Sequence, residues 1–450
     1  MEIENRVFRL QPIAGKNWLE RISKPFAAAL GPDNYPLRFS IVDVGDSEVV
    51  LEGTVVRFLP GDRHAPAFSS IEFLQPRRRT FPSQPFIVAQ VVPTGVRCEF
   101  GGYAGDATPV TNLLASTADF LVTHPNAVNA SDLNEMAANV LYVEGKSLDD
   151  FLLGHLGLAI TAGNKIGTFV DPTGIGYIDY VVNTLNAAHA VSGFECELYM
   201  VLEEELGVSI EWFETGCAAG TVLRPQAILK AVEVLLSHGV DAVGGVSVIH
   251  GVTSEMFTKH IAGHIPNPSG GVEAIITHLI SKIFRVPTAH APLPYYQELK
   301  DIRTSNPRAS AEFISTPHYY SVLKGLARAP RLVPDPQLGG GLPGLMTVNN
   351  VGGIVMPASC LGGIPALAAE YNGIPIIAVS ENATVLQMTN KKMRMSNVVE
   401  VGSYLEAAGA ILALRNGISM GSLRRPLPGA RRLPPIIGTS VLCDRANPTA

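Results

Sequence analysis

Residues 86–95 read Phe86-Ile87-Val88-Ala89-Gln90-Val91-Val92-Pro93-Thr94-Gly95 and lead into Gly101-Gly102-Tyr103-Ala104-Gly105-Asp106-Ala107-Thr108-Pro109. After a helical stretch, a second apolar run closes on Thr123-His124-Pro125-Asn126-Ala127-Val128-Asn129-Ala130-Ser131-Asp132. This succession is how α/β proteins build a ligand site: strand ends deliver backbone N–H groups and short polar side chains to one edge of a buried sheet. From Pro85 onward the alternation continues. Apolar runs at 86–92, 119–123, 166–170, 197–201, 240–248, 351–356 and 375–379 predict strands. Amphipathic stretches near 177–190, 223–238, 269–283, 308–326, 361–372 and 403–415 predict helices. The expected fold is α/β, with a mainly parallel sheet covered by helices.

Residues 1–83 read differently. Phe39-Ser40-Ile41-Val42-Asp43-Val44 and the run from Glu48 to Phe58 alternate as short strands, predicting a small β-rich N-terminal addition. A polar linker with Arg77-Arg78-Arg79 and Pro82 closes it. The α/β core is expected over 84–330, and a C-terminal α/β part over 331–420 closes the cleft. The proline- and glycine-rich stretch 330–346 is expected as a loop or hinge. Residues 421–450 carry arginine and proline without periodicity and predict a poorly ordered tail. Gly216-Cys217-Ala218-Ala219-Gly220-Thr221 and Ser359-Cys360-Leu361-Gly362-Gly363-Ile364 echo each other. The echo suggests two pseudo-equivalent halves facing each other, each with a cysteine between a strand and a helix.

Composition narrows the function. Of 450 residues, 46% are hydrophobic and 16% charged, as in a well-buried globular protein. Aromatic residues at 7% and a net charge of −6 argue against nucleic acid and anionic membrane as partners. No apolar run is long enough to span a bilayer. The start lacks a basic segment followed by an apolar core, and the five cysteines show no paired spacing. The expectation is a reduced, cytoplasmic protein acting on a small molecule, with a homo-oligomer left open.

Several motifs carry candidate chemistry. The loop with Gly101, Gly102, Tyr103, Gly105 and Asp106 either lets backbone approach an anionic group or is a tight turn with a helix cap. The G-x-G-x-x-G fingerprint and the Walker lysine pattern are both missing, so no organic cofactor is expected. Thr94, His124, Asn126 and Asn129 place hydrogen-bonding groups near strand ends. Glu144 closes the next apolar run as an acid, a base or a cap. Cys217 and Cys360 are candidate thiolates if helix N-termini lower their pKa, and small buried residues otherwise. His260 and His264 are i, i+4 and would share a helix face, the one metal alternative; no metal is otherwise expected. Ser269 and Glu273 open a helix, and Glu381 and Asn382 follow the run ending at Val379.

Pro357-Ala358-Ser359-Cys360 followed by Gly373-Ile374-Pro375-Ile376-Ile377-Ala378-Val379 resembles the aspartate/glutamate racemase superfamily, whose members work with paired thiols. Ser269-Gly270-Gly271-Val272-Glu273 is similar to a segment of ring-opening amidohydrolases of the cyanuric acid hydrolase type, but the matching lysines of that family have no place here. A longer likeness rests on Pro93-Thr94-Gly95, Gly101 to Ala107, Thr123-His124-Pro125-Asn126, Tyr142-Val143-Glu144-Gly145, Glu273-Ala274, Ala289-His290-Ala291-Pro292, Glu381-Asn382 and Tyr404-Leu405-Glu406-Ala407. Over about 86–417 the chain resembles an uncharacterised domain-of-unknown-function family of cyanobacteria and plant plastids. That resemblance implies one shared site and transfers no chemistry. The β-rich start, the tail and the stretch 250–268 depart from it.

The function expected from the residues is an enzyme working by proton transfer or thiol chemistry next to a carbonyl: an isomerase, lyase or hydrolase. Cys360 is its expected nucleophile or base, with His124 or Glu144 as partner. The alternatives are a non-catalytic metabolite-binding or sensor protein and a metal-assisted hydrolase using His260 and His264.

Overall fold

The computed structural model describes residues 1–62, 64, 76, 84–125, 136–293, 318–334 and 344–432. The amino-terminal strands β1 (Glu2–Leu10), β2 (Asn34–Val44) and β3 (Val49–Arg57) form an antiparallel sheet in the order β1-β3-β2. The sequence reading left out the helix Trp18–Leu30 that covers it. Asn17 caps this helix by accepting from the Glu20 N–H, and Trp18, Leu19, Ile22, Phe26 and Leu30 make its buried stripe. Phe26 meets Phe8 and Phe39 edge-on at 5.1 and 4.8 Å between ring centres.

Six of the following strands are β4 (Ile87–Gln90), β5 (Phe120–Thr123), β6 (Val140–Tyr142), β7 (Leu156–Ala159), β8 (Ile166–Val170) and β9 (Leu198–Val201). Then come β10 (Val208–Trp212), β11 (Ala218–Val222), β12 (Ala242–Ser247), β13 (Thr288–Pro292) and β14 (Arg331–Pro334). The last are β15 (Val351–Pro357), β16 (Ile376–Val379) and β17 (Val398–Val401). Ten of them build two parallel sheets, β17-β16-β15-β4-β5-β6 and β13-β12-β8-β9, while β7 with β14 and β10 with β11 pair antiparallel. Helices cover the faces, so central strands such as β4 and β16 are buried on both sides and read as unbroken apolar runs. The α/β architecture with an antiparallel N-terminal region is therefore as expected, with the parallel strands divided between two sheets.

Three expectations gain detail. First, the β-rich N-terminal addition is present and joined to the rest of the chain. The Ile41 N–H donates to the Gly362 carbonyl at 2.9 Å, and the Trp18 indole N–H donates to the Met393 carbonyl at 2.8 Å. Leu19, Ile22, Leu51 and Val55 share one hydrophobic core with Ile354, Leu367 and Ile376. Second, 330–346 is not an open hinge where it is described. β14 pairs antiparallel with β7, and Met346 and Leu158 exchange backbone hydrogen bonds at 2.8 and 2.9 Å. Third, the cysteine echo does not hold. Cys217 lies between the two strands of the β10–β11 hairpin, whereas Cys360 lies between β15 and the helix Ile364–Asn372.

The two parallel sheets are tied where the site forms. The Tyr142 hydroxyl at the end of β6 donates to the Thr288 carbonyl on β13 at 3.2 Å. The helix Gly270–Phe284, which joins β12 to β13, lies against the hairpin and the helix Gly145–Leu152. A Cβ on Gly271 would stand 2.4 Å from the Ala218 carbonyl oxygen, so only glycine permits that approach.

Candidate active site

The carboxyl ends of β4, β5 and β6 open onto a cavity lined by Thr94, Gly101, Gly102, Tyr103, His124 and Glu144. Its opposite wall is the helix Gly270–Phe284, with Gly270, Glu273, Ala274, Thr277 and His278, and behind it His290 of β13. These five helix positions follow i, i+3, i+4, i+7, i+8, one face of an α-helix. A second lobe adjoins and shares Pro93, Thr94, His124, Gly145, Ala274 and His278 with the first. Arg38, Asp149, Cys217 and Cys360 line it.

Glu144 caps the helix Gly145–Leu152, its Oε2 accepting from Lys146 N–H at 2.9 Å and Ser147 N–H at 3.2 Å. Its Oε1 accepts from the Thr277 hydroxyl at 3.0 Å and from His278 Nδ1 at 2.5 Å. Burial alone would raise the Glu144 pKa. The charge and hydrogen bond of His278, with the Ser147 N–H and Thr277, outweigh it and hold the carboxyl below its usual range. The ring of His278 lies against Gly145, where a Cβ would come within 2.8 Å of Cε1. Two buried contacts lock the helices carrying this pair. Ser147 bonds Ser281 through their hydroxyls, and Asp150 pairs with both Lys146 and Lys282.

A second pair stands one turn away. His290 Nδ1 lies 3.2 Å from Glu273 Oε2, and its Nε2 lies 2.8 Å from the Ser247 hydroxyl. Ser247 is fully buried, so it orients the ring from behind. His124 differs from both: the Val92 N–H donates to its Nε2 at 2.9 Å. Burial, opposed by Glu144 and reinforced by His278, pulls its pKa down to about 4. The ring is therefore neutral at pH 7, with its proton on Nδ1.

The remaining expected residues divide sharply. Asp106 lies outside the cavity lining, and its Oδ1 accepts from the N–H groups of Gly101 at 2.7 Å and Tyr103 at 3.4 Å. The carboxylate thus occupies backbone donors expected to face a ligand, and Gly101 and Gly105 supply the positive φ this turn needs. The Tyr103 hydroxyl donates to the carbonyls of His260 and Ile261 at 3.1 and 3.2 Å, anchoring the loop. Asn382 is spent on Phe100 N–H, Phe100 carbonyl and the Tyr404 hydroxyl, and Glu381 accepts from Tyr404 N–H. Both brace the loop from outside the cavity. Ser269 precedes the helix Gly270–Phe284 without making a side-chain cap. Asn126 and Asn129 fall outside the described residues.

His260 and His264 do not share a helix face. The helix Ser254–Ile261 ends before His264, which is exposed, while His260 is buried under Tyr103 at 5.0 Å between ring centres. Among the described residues no three His, Cys, Asp or Glu side chains form a group able to hold a metal ion. Cys217 and Cys360 both line the second lobe. Burial pushes Cys360 up to about 11 and raises Cys217.

The sequence reading passed over Arg38, Asp149, Thr277, His278 and Ser247 as site residues, and named His290 only within the family likeness. The helical spacing from Gly270 to His278 carried the signal for two of them. The others reach the cavity only through tertiary packing.

A family model described as a protein of unknown function, DUF3326, matches residues 87–424. The chain belongs to this family. An uncharacterized lipoprotein, syc1174_c, of Synechococcus sp. (strain ATCC 27144 / PCC 6301 / SAUG 1402/1) is 33% identical over 349 residues, covering 76% of this chain and 94% of its own. No solved structure matches the chain. Among the described residues no helix is long and apolar enough to cross a membrane. The cavity residues from Thr94 to His290 all lie within the span that the family model matches.

Proposed function

We propose that this cavity is the active site of an enzyme that moves a proton at a carbon next to a carbonyl in a small anionic metabolite. The observation that carries this reading is the presence of two histidine–carboxylate pairs, Glu144–His278 and Glu273–His290, lining one cavity. Such pairs fix the tautomer of the imidazole and stabilise its charged form. Glu144 already accepts four hydrogen bonds, so it orients His278 and leaves Nε2 as the nitrogen that exchanges protons. Glu273 is the second acid–base group, held by His290. In the proposed step one of the two removes the proton, the electron pair moves onto the carbonyl oxygen, and the other returns a proton. Neutral His124, with a proton on Nδ1, is a hydrogen-bond donor suited to the developing oxyanion. Cys360 contributes packing and a weak donor, since its thiol stays protonated.

The experiment follows deuterium incorporation from D2O into a panel of small 2-oxo and 2-hydroxy acids by proton NMR. Exchange into at least one compound is expected, reduced about a hundredfold or more in His278→Asn and in Glu273→Gln and kept within a few-fold in Cys360→Ala. A compound that raises the unfolding temperature but never exchanges points to a binding protein instead. Loss in Cys360→Ala as deep as in His278→Asn would return the chemistry to the thiol.

A further inference from the structure

The second lobe carries its own chemistry. Arg38, on β2, lines it, and its described hydrogen bonding is one contact of 3.3 Å from Nη2 to the Ala218 carbonyl. A guanidinium has five N–H donors in a rigid fork, so most of this donor set is unspent. No described carboxylate forms an ion pair with it, although Glu52 and Asp149 share the lobe. Glu52 is engaged by the Thr215 hydroxyl at 2.6 Å. Phe39, Val91, Val96, Phe213, Met356 and Leu386 give the lobe a large apolar surface. A half-buried cation with open donors, set among apolar side chains in a chamber that continues into the acid–base lobe, is matched by a ligand of complementary build.

We infer that the second lobe binds the carboxylate end of a monocarboxylic acid with an apolar body, through Arg38. The inference rests on the proposed active site for its continuity and deepens it. The glycine loop, whose N–H groups at Gly101 and Tyr103 are taken by Asp106, is relieved of the anion-binding role. Arg38 takes that role instead. Burial, opposed by Lys146 and Arg38 and reinforced by Asp150 and Glu144, raises the Asp149 carboxyl to about 8. At pH 7 Asp149 is thus a neutral hydrogen-bond donor beside the bound anion, not a competing charge.

The test uses hexanoate as the probe, with hexanamide and succinate as controls, titrated calorimetrically into the full-length chain at pH 7. Hexanoate is expected to bind at least about tenfold more tightly than hexanamide or succinate. Arg38→Met is expected to lose about thirtyfold or more in hexanoate affinity. Equal binding of hexanoate and hexanamide, or unchanged binding in Arg38→Met, overturns the inference. Should Arg38→Met fail to fold, the hexanoate–hexanamide ratio in the wild type decides alone. Retained Arg38-dependent binding without any deuterium exchange would sink the catalytic reading and leave this one standing.

Discussion

At the scale of single residues, the site is a set of ionisable groups whose charges are assigned by their neighbours. His124 is held neutral, with a folded pKa of about 4 against an ordinary value of 6.5. Between those values the unfolded chain binds more protons than the folded one, so this residue lowers stability as pH falls through 6.5 toward 4. The effect is on the order of 3 kcal/mol at full strength. Asp149 has the opposite sign. Its folded pKa of about 8 lies above the ordinary 3.8, so its contribution is full below pH 3.8 and is lost as pH rises to about 8. The two slopes oppose each other, and single variants separate them. In urea unfolding at stepped pH, His124→Asn is expected to gain on the wild type as pH drops from 6.5 to 4. Asp149→Asn is expected to gain on it as pH climbs from 4 to 8. A constant difference across either window would contradict the corresponding assignment.

At the scale of elements, the helix Gly270–Phe284 decides the geometry, because it supplies Glu273, Thr277 and His278 and sits unusually close to its neighbours. Gly271→Ala would drive a methyl into the Ala218 backbone, and a loss of roughly 1–3 kcal/mol in stability is expected by denaturant titration. Gly145→Ala would instead press on the His278 ring. It begins a helix that tolerates alanine, so deuterium exchange should fall at least tenfold while the unfolding midpoint barely moves. Most of this framework was legible in the sequence. The runs at 166–170 and 376–379 are strands, and the stripe near 269–283 is a helix, because burial on two faces or one stripe writes a periodicity. Short elements such as β6, β7 and the helix Gly145–Leu152 were too brief for period alone. Glu144 was readable as a strand-end carboxylate, whereas its partner His278 lies 134 positions away and is joined to it only by packing.

At the scale of the whole molecule, the amino-terminal layer is a wall of the site, since Arg38, Phe39 and Glu52 all line the second lobe. Its strands and helix share core residues with the six-stranded sheet. A chain starting at residue 84 is therefore expected to lose cooperative thermal unfolding, and a sharp calorimetric transition near the wild-type temperature would refute that dependence. This is also where sequence reading was weakest. Alternating strands at 39–44 and 48–58 were plain, but nothing local in Arg38 distinguishes a cavity cation from a surface one. The seating of this layer has a built-in optical reporter. The chain holds two indoles, of which Trp18 is 2% exposed against the Met393 carbonyl and Trp212 is 36% exposed. With Trp212→Phe in place, the emission colour of the remaining indole registers departure of the amino-terminal layer from the carboxy-terminal sheet. An unlabelled acid that fastens Arg38 to the far side of its chamber would then announce itself as resistance of that blue emission to urea.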